Sequence, residues 1–264
     1  MSAKFNPEKF QEGLKTKLFG KYLFFSREVA STNDWAKELE ALGAPEGTVV
    51  MAETQTAGRG RFGRRWFSPK GGLWFSLILK PMLRPEETVK LVFLASLAAT
   101  ETLRGLYGLK AETKWPNDVL VDGRKVCGIL SEMKTTGERV ECAIIGVGVN
   151  ANFDVESTFS QELKAYATSL QTLLGKQVAL EELFRVLLEK MESFYMGFLT
   201  EGFTQILEKW KSYASFLGSK VEVSSEGEKL EGTALDVDRD GALVLRLEDG
   251  SVRRVFVGEL SLKY

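Results

Sequence analysis

The sequence predicts an α+β chain in two parts: a larger domain over residues 1–216 that mixes strands with helices, and a small all-β domain over residues 217–264. Three observations carry this reading. Up to Phe216, short apolar runs alternate with segments of helical spacing. Inside that region two apolar runs meet at Asp122-Gly123, a strong hairpin signal. From Leu217 the pattern becomes short alternating segments separated by Ser225-Glu226-Gly227, Arg239-Asp240-Gly241 and Glu248-Asp249-Gly250, turn signals at the spacing of a small β unit. The charge divides at the same place: residues 217–264 carry 7 basic and 10 acidic side chains, net −3, leaving 28 − 26 = +2 for residues 1–216. A length of 264 residues suits one large and one small domain at roughly 150 residues per domain.

Tyr22–Phe25 reads as a short buried strand. Ser31-Thr32-Asn33-Asp34 starts a helix, because small polar side chains there cap free backbone N–H groups, and Gly43 and Pro45 stop it after Leu42. Thr48–Ala52 and Leu73–Leu79 are strands, with a glycine- and arginine-rich loop, Gln55–Ser68, between them. Glu86–Tyr107 has acidic residues first and apolar residues at helical spacing, so it is a long buried helix. Val119–Val121 and Val126–Leu130 form the hairpin around Asp122–Lys125, and Ala143–Val149 is an apolar strand. Two or three helices follow between Gln161 and Phe216.

Composition excludes several classes of chemistry. There is no histidine, so no imidazole acts as a general base, completes a triad or ligates zinc. Cys127 and Cys142 form no CxxC pair and sit in apolar strands; they read as small buried residues in a reducing compartment, and a cytoplasmic location is expected. The N-terminal stretch Met1–Gly20 intersperses charges, Lys4 among them, and lacks the apolar core of a signal peptide. The longest apolar run, Leu91–Ala99, is too short to span a bilayer, so no membrane partner is expected. A net charge of −1 argues against a wholly basic nucleic-acid binder.

The densest signal is Gly58-Arg59-Gly60-Arg61-Phe62-Gly63-Arg64-Arg65-Trp66, with four arginines in seven residues. Its letters match a dinucleotide fingerprint, but no strand runs directly into Gly58, Pro69 follows soon after, and no acidic residue lies about 20 positions on. A solvated basic loop is the ordinary explanation. Glycine alternating with arginine instead lets a backbone approach an anion while guanidinium forks close over it. A polyphosphate or acyl phosphate would order such a loop, and nucleic acid is the competing anion.

Lys114-Trp115-Pro116-Asn117-Asp118 is the second signal. Proline pushes Trp115 toward extended backbone, and a lysine at a rigid bend can be aimed at one point. Turn chemistry alone explains Pro, Asn and Asp equally well. Taken with the arginine loop, a lysine, several guanidinium groups and an Asp or Asn able to hold Mg²⁺ suit phosphoryl or nucleotidyl transfer. Gly146 and Gly148 mark either close approach of a ligand or backbone, or plain core packing.

Ser31-Thr32-Asn33, Gln55-Thr56-Ala57-Gly58-Arg59-Gly60-Arg61-x-Gly63-Arg64-x-Trp66, Lys114-Trp115-Pro116-Asn117-Asp118, Gly146-x-Gly148-x-Asn150 and the final Gly258–Leu262 occur in the order that resembles the biotin–protein ligase family. The resemblance implies a catalytic domain like the class II aminoacyl-tRNA synthetase core, a mixed sheet flanked by helices, followed by an SH3-like β-barrel. It implies a two-step reaction. Biotin carboxylate attacks the α-phosphate of ATP with Mg²⁺ present, and a lysine of a biotin carboxyl carrier domain then attacks the biotinyl-AMP.

By the same resemblance Lys114 bridges carboxylate and α-phosphate, and Arg59, Gly60 and Arg61 belong to a loop that closes over the intermediate. Lys114 and Arg61 are thus the expected catalytic residues. Ser31, Thr32, Asn33, Gln55, Gly58 and Gly128 join them on the biotin side. Arg64, Trp66, Asn117 and Asn150 fall on the ATP side, with Trp66 stacking on adenine. Asp118 is a candidate Mg²⁺ ligand, and no tightly bound protein metal is expected. About 20 residues precede the first strand, too few for the winged-helix DNA-binding domain of many bacterial relatives, so DNA is not an expected partner. Edge-to-edge homodimers are common in the family. A lipoate–protein ligase shares the fold and the adenylation chemistry; the Gly-Arg-Gly-Arg loop favours biotin.

Overall fold

Seven strands form the larger sheet, and the face each side chain takes decides where the site lies. In the computed structural model, which describes residues 5–225 and 227–262, helix α1 (Pro7–Glu12) precedes β1 (Leu23–Val29), α2 (Thr32–Ala41), β2 (Val49–Gln55), β3 (Leu73–Leu79), α3 (Val89–Tyr107), β4 (Ala111–Lys114), β5 (Asp118–Val121), β6 (Arg124–Thr136) and β7 (Arg139–Val149). The sheet order is β1-β2-β3-β7-β6-β5-β4; β1 and β2 are parallel and the other neighbours antiparallel. Then come α4 (Val155–Thr158), α5 (Gln161–Lys164), α6 (Leu170–Leu174), α7 (Leu180–Glu201) and α8 (Thr204–Lys211). Strands β8 (Lys220–Ser225), β9 (Glu228–Val237), β10 (Leu243–Leu247), β11 (Val252–Val255) and β12 (Glu259–Leu262) form a second, antiparallel sheet in the order β11-β10-β9-β8-β12. This is the mixed, helix-flanked sheet plus small β unit that the sequence predicts. Lys4, and Glu226 of the first C-terminal turn, lie outside the described residues.

Strand β3 is buried on both faces, which is why it reads as an unbroken apolar run. Leu73, Phe75, Leu77 and Leu79 enter the main core with α3 and α7, while Ile78 packs on the other side against Ala36 of α2. Strand β7 repeats the division: Ile145, Val147 and Val149 join the main core, and Cys142 and Ile144 the α2 side. Side chains alternate along a strand, so Gly146 and Gly148 fall on the α2 face. The ladder places Gly146 beside Ser76, and Gly148 between Trp74 and Gly128 of β6. One patch of the sheet therefore lacks Cβ atoms, and that patch becomes the floor of the site.

Several elements differ from the sequence reading for local reasons. Strand β4 carries charge at two of its four positions, so no apolar run marks it. The long helix begins as a separate 3₁₀ turn, Pro85–Glu87, and α3 itself starts at Val89; Gly108, at φ 65°, ends it. The region 161–216 holds four helices rather than two or three, because α5 and α6 are each about one turn and too short to show a period. Asp122 and Gly123 both take positive φ, as the tightest hairpin turns require. Cys127 and Cys142 are buried free thiols, as read, and burial pushes both upward, Cys142 to about 11.

The segment before β1 is held by buried carboxylates. Glu192 of α7 accepts hydrogen bonds from the backbone N–H groups of Lys17, Leu18 and Phe19 at 2.6, 2.7 and 2.7 Å. Phe10 stacks on Phe184 of α7 with centroids 4.6 Å apart. Removing the carboxylate strands three N–H groups beneath the segment. Glu192→Ala should therefore lower the unfolding free energy by about 3 kcal/mol in urea titration. A change below about 0.5 kcal/mol would show that the three bonds carry no net stability.

Candidate active site

The start of α2 and the end of β2 meet at one wall. Ser31 is the N-cap residue, yet its side chain makes no cap hydrogen bond, which corrects the simple capping role. The free N–H of Thr32 is instead taken by Gln55 Oε1 at 2.8 Å, and Thr32 Oγ1 donates to the same oxygen. Gln55 Nε2 donates to Ser68 Oγ at 2.8 Å. Ser76 Oγ lies 2.8 Å from Thr32 Oγ1 and 2.6 Å from Asn33 Oδ1, and Asn33 Nδ2 donates to Glu132 Oε2 at 2.6 Å. Such a network fixes each amide orientation and leaves few arrangements open.

The arginine loop is a folded hairpin. Gln55 pairs with Ser68 and Arg59 with Arg65. Trp66 N–H donates to Gly58 O at 2.8 Å and Gly60 N–H to Arg64 O at 2.7 Å. A 3₁₀ turn, Arg61–Gly63, forms the tip, and no α-helix opens after Gly60, so the dinucleotide fingerprint is rejected as expected. Arg59 reaches Asp34 with both terminal nitrogens, and this hydrogen bonding holds the Asp34 carboxyl below its ordinary range despite opposing burial. Glu132 feels burial first, which opposes its charge, but Lys37 and Asn33 hold it low. Arg61 donates to Gly258 O at 2.8 Å, and Arg64 lies 2.5 Å from Glu259. The second sheet thus grips the loop.

Lys114 ends β4, directly across the ladder from Asp118. The Trp115–Pro116 peptide between them is cis. Trp115 is buried, and its Nε1 donates to Gly241 O at 3.0 Å, which ties the bend to the second sheet. Burial pulls the Lys114 ammonium below the usual lysine range, and Lys125 adds to the pull against Asp118 and Glu259. Among the described residues Lys114 Nζ makes no ion pair. Asn117 is pinned by its own Nδ2, which donates to Ile129 O at 2.7 Å.

These pieces enclose one cavity of about 420 Å³. Ser31, Thr32, Asn33 and Gln55 line one end, and Asn117, Asp118, Gly128 and Asn150 line the β5–β7 side together with Trp66. Lys114 and Arg59, Gly60, Arg61 and Arg64 line it as well. Gly58 stands apart: a Cβ there would lie 2.6 Å from Trp66 O, so its lack of a side chain serves the hairpin rather than the cavity. Gly146 and Gly148 admit site side chains. A Cβ at Gly146 would lie 2.3 Å from Asn33 Oδ1, and one at Gly148 2.6 Å from Trp66 Nε1. Trp66 rests on the paired Gly128 and Gly148, edge-on to Trp74.

Six cationic side chains line the cavity, Arg59, Arg61, Arg64, Arg65, Lys114 and Lys125, against the carboxylates of Asp118 and Glu259. Among the described residues, buried Trp66 Nε1 and Asn150 Oδ1 have no hydrogen-bond partner, and Asp118 Oδ1 lies 2.7 Å from Lys125 Nζ. A cavity with this excess of cations suits an anionic ligand. Sequence reasoning missed Lys125, which looked like a turn residue, and Asp34, Ser76, Glu132 and Glu259, whose partners lie 25 to 195 residues away in sequence. The Arg–Gly loop's need for counter-charges was the one available signal for the acids.

Fold and site together define a ligase of the biotin/lipoate type. Residues 25–150 match the biotin/lipoate A/B protein ligase family, and residues 216–263 match the biotin protein ligase C-terminal domain. The bifunctional ligase/repressor BirA of Bacillus subtilis is 36% identical over 260 residues, 98% of this chain and 79% of that protein. The biotin–[acetyl-CoA-carboxylase] ligase of Paracoccus denitrificans is 34% identical over 82% of this chain and 90% of that protein. The biotin protein ligase of Aquifex aeolicus, solved in complex with biotin and ATP, superposes with a TM-score of 0.79 at 30% identity, covering 92% of this chain and 99% of that one. The chain belongs to the biotin protein ligase family.

The glycine floor makes a steric prediction. Gly146→Ala should cost about 1–3 kcal/mol in thermal or urea unfolding, because Asn33 is held from two sides and cannot yield freely. Gly105→Ala, exposed in the last turn of α3 with open space at its Cβ, should stabilise by about 0.5–1 kcal/mol. Equal effects at the two positions would remove the close-approach role of Gly146.

Proposed function

We propose that this chain activates biotin with ATP to biotinyl-AMP and transfers the biotinyl group to a lysine of a biotin carboxyl carrier domain. The observation that carries the reading is the cavity with six cations and two carboxylates. In the first step a carboxylate oxygen attacks the α-phosphorus and pyrophosphate leaves. Both reactants are anions, so the barrier is chiefly electrostatic, and fixed cations lower it without reorganising. In the second step a neutral carrier lysine attacks the acyl carbon and AMP leaves with the bonding pair. Neither step requires an imidazole, which agrees with a chain lacking histidine.

Lys114 and Arg61 are the catalytic cations in this reading. Lys114 reaches the carboxylate and α-phosphate together, and its burial makes the charge more effective than it would be in water. Ser31, Thr32, Asn33 and Gln55 hold the ureido ring, with Gly128 and the loop residues Arg59 and Gly60 completing the biotin side. Trp66, Arg64, Asn117 and Asn150 form the nucleotide side, with Trp66 stacking on the base. Asp118 is the carboxylate that would hold Mg²⁺, an ion that typically takes one or two carboxylates plus substrate phosphates and would neutralise phosphate charge here.

The cations line a pocket rather than an exposed stripe, which supports a small anionic ligand over DNA. No helix among the described residues is long and apolar enough to cross a membrane. The reading places the enzyme in the cytoplasm, and β1, at an open edge of the larger sheet, offers a surface for a homodimer.

An intact-mass assay tests the function. Protein, ATP, Mg²⁺ and biotin mixed with a carrier domain should add one biotin to the carrier, and nothing without ATP. A gain with lipoate on a lipoyl domain instead would transfer the chain to the sister activity. Lys114→Ala should fold normally and lose adenylate formation by roughly 10²–10³-fold; wild-type rates would remove its role. Arg61→Gly should still form the adenylate but release it, so that bystander lysines become labelled. Unchanged retention would show that the grip of Arg61 on Gly258 does not close the site.

A further inference from the structure

Glu132 is a carboxylate beside the site that the reaction leaves without a task. It stands on β6 and does not line the cavity, yet three groups converge on it. Lys37 Nζ lies 2.6 Å from Oε1, Asn33 Nδ2 donates to Oε2 at 2.6 Å, and Arg59 lies 3.6 Å from the same Oε2. The Lys37 pair is partly exposed and of the kind that contributes little. The Asn33 bond differs, because Asn33 is buried and its other end faces Ser76, which is fully buried. A side-chain amide can sit either way round in such a place, and its partners decide which. A carboxylate only accepts, so Glu132 draws Nδ2 to itself and leaves Oδ1 for Ser76.

A proton count shows what that choice does. Asn33 Oδ1 only accepts, so Ser76 must give its one hydroxyl proton to the 2.6 Å contact with it. Ser76 can then only accept from Thr32 Oγ1, 2.8 Å away. Thr32 has one hydroxyl proton, and Gln55 Oε1 stands within its reach at 3.1 Å. Gln55 is itself fixed, since its Nε2 donates to Ser68 and its Oε1 already accepts the Thr32 N–H. Three contacts therefore share two protons. With the Asn33 amide reversed, Nδ2 would donate to Ser76, Ser76 to Thr32 and Thr32 to Gln55, and each contact would have its proton. A network that served packing alone would take that arrangement, but it sets Oδ1 against the Glu132 carboxylate. Glu132 imposes the other, and the wall that Thr32 and Gln55 present to the cavity is left one donor short.

We propose that Glu132 is a positioning residue for biotin: by fixing the Asn33 amide it sets the direction of the hydrogen-bond chain through Ser76, so that Thr32 and Gln55 meet the ligand as acceptors. The missing donor is then an N–H of the ureido ring. The inference rests on the proposed biotin-binding reading and extends it to two residues outside the cavity lining, Glu132 and Ser76. A ring without N–H groups, such as the dithiolane of lipoate, cannot supply that proton. The same carboxylate therefore favours biotin over lipoate.

Isothermal titration of the full chain with biotin, and separately with a non-hydrolysable ATP analogue, tests the assignment. Glu132→Met should weaken biotin binding by about 10–100-fold, the effect of one misdirected buried hydrogen bond, and change analogue binding by less than about twofold. Ser76→Ala cuts the same chain at its next link and should weaken biotin binding by a similar factor. In the Ser76→Ala background, adding Glu132→Met should change biotin binding by less than about twofold, because the chain is already broken. A full further loss there would mean that Glu132 acts by another route, through its charge on Arg59 or Lys37, and the proposal fails. Unchanged biotin binding by either single variant also overturns it. Intact analogue binding by each variant shows that the fold is retained, and loss of both ligands together counts against a role confined to biotin. A wild-type chain that binds lipoate and not biotin, or neither biotin nor the analogue, would defeat the functional reading itself. That outcome is distinct from a wild type that binds both and a Glu132→Met variant that binds biotin equally well.

Discussion

Six cationic side chains share one cavity in a chain whose net charge is −1, and each must be held against the repulsion of its neighbours. The protein meets this constraint by bringing counter-charges from distant parts of the sequence. Asp34 and Glu132 secure Arg59 at the base of the loop, Glu259 and Gly258 O secure Arg64 and Arg61 at its tip, and Asp118 lies between Lys114 and Lys125. The pairs are unequal. Arg59 has two acids, whereas Lys114 has no ion pair of its own. Charge is thus most fully compensated at the root of the loop and least compensated at Lys114 and Arg65, which make no ion pair among the described residues. A polyphosphate is attracted to the part of the cavity that the protein leaves electrostatically unfinished.

The second constraint is room. A sheet face ordinarily presents a side chain at every other position. Gly128, Gly146 and Gly148 interrupt that rule on adjacent strands, so Trp66 and Asn33 lie almost on the backbone. The same lowering of the floor leaves volume above it for a ligand. Glycine weakens a strand, and the cost falls on β6 and β7 in the middle of the sheet, where ladder bonds to both neighbours compensate. The central position of those strands is what makes a glycine-rich floor tolerable.

Much of this was legible in the sequence because the informative residues cluster. Arginine-glycine alternation and Lys114-Trp115-Pro116-Asn117-Asp118 are dense local signals, and β3, α2 and the Asp122-Gly123 hairpin follow from period and turn chemistry alone. Their partners were not legible. Ser76 sits within an apolar run, and only the alternation of β3 combined with the placement of α2 turns it toward Asn33. Lys125 looks like an ordinary turn residue until the fold brings its side chain to Asp118, although the ladder pairs it with Leu120. Strand β4 was invisible because half of its four residues are charged, though it is the element that delivers Lys114. Local chemistry names the ligand-facing groups; the groups that hold them are specified by topology.

The second sheet is part of the site rather than an appendage to it. Glu259, Leu260 and Ser261 of β12 line the cavity, and the backbone of Gly258 receives Arg61. Trp115, whose bend carries Lys114 toward Asp118, is tied through Nε1 to Gly241 in the turn before β10. Both catalytic candidates therefore depend on contacts that cross between the two sheets, one at the loop tip and one at the lysine bend. Rotating the small β unit away would loosen Arg61 and release the support behind Lys114 together, while Arg59, held by Asp34 and Glu132 within the larger domain, would stay in place. The loop thus has a fixed root and a tip whose position is set by the second sheet, an arrangement in which the site can open at one end without losing its anchor.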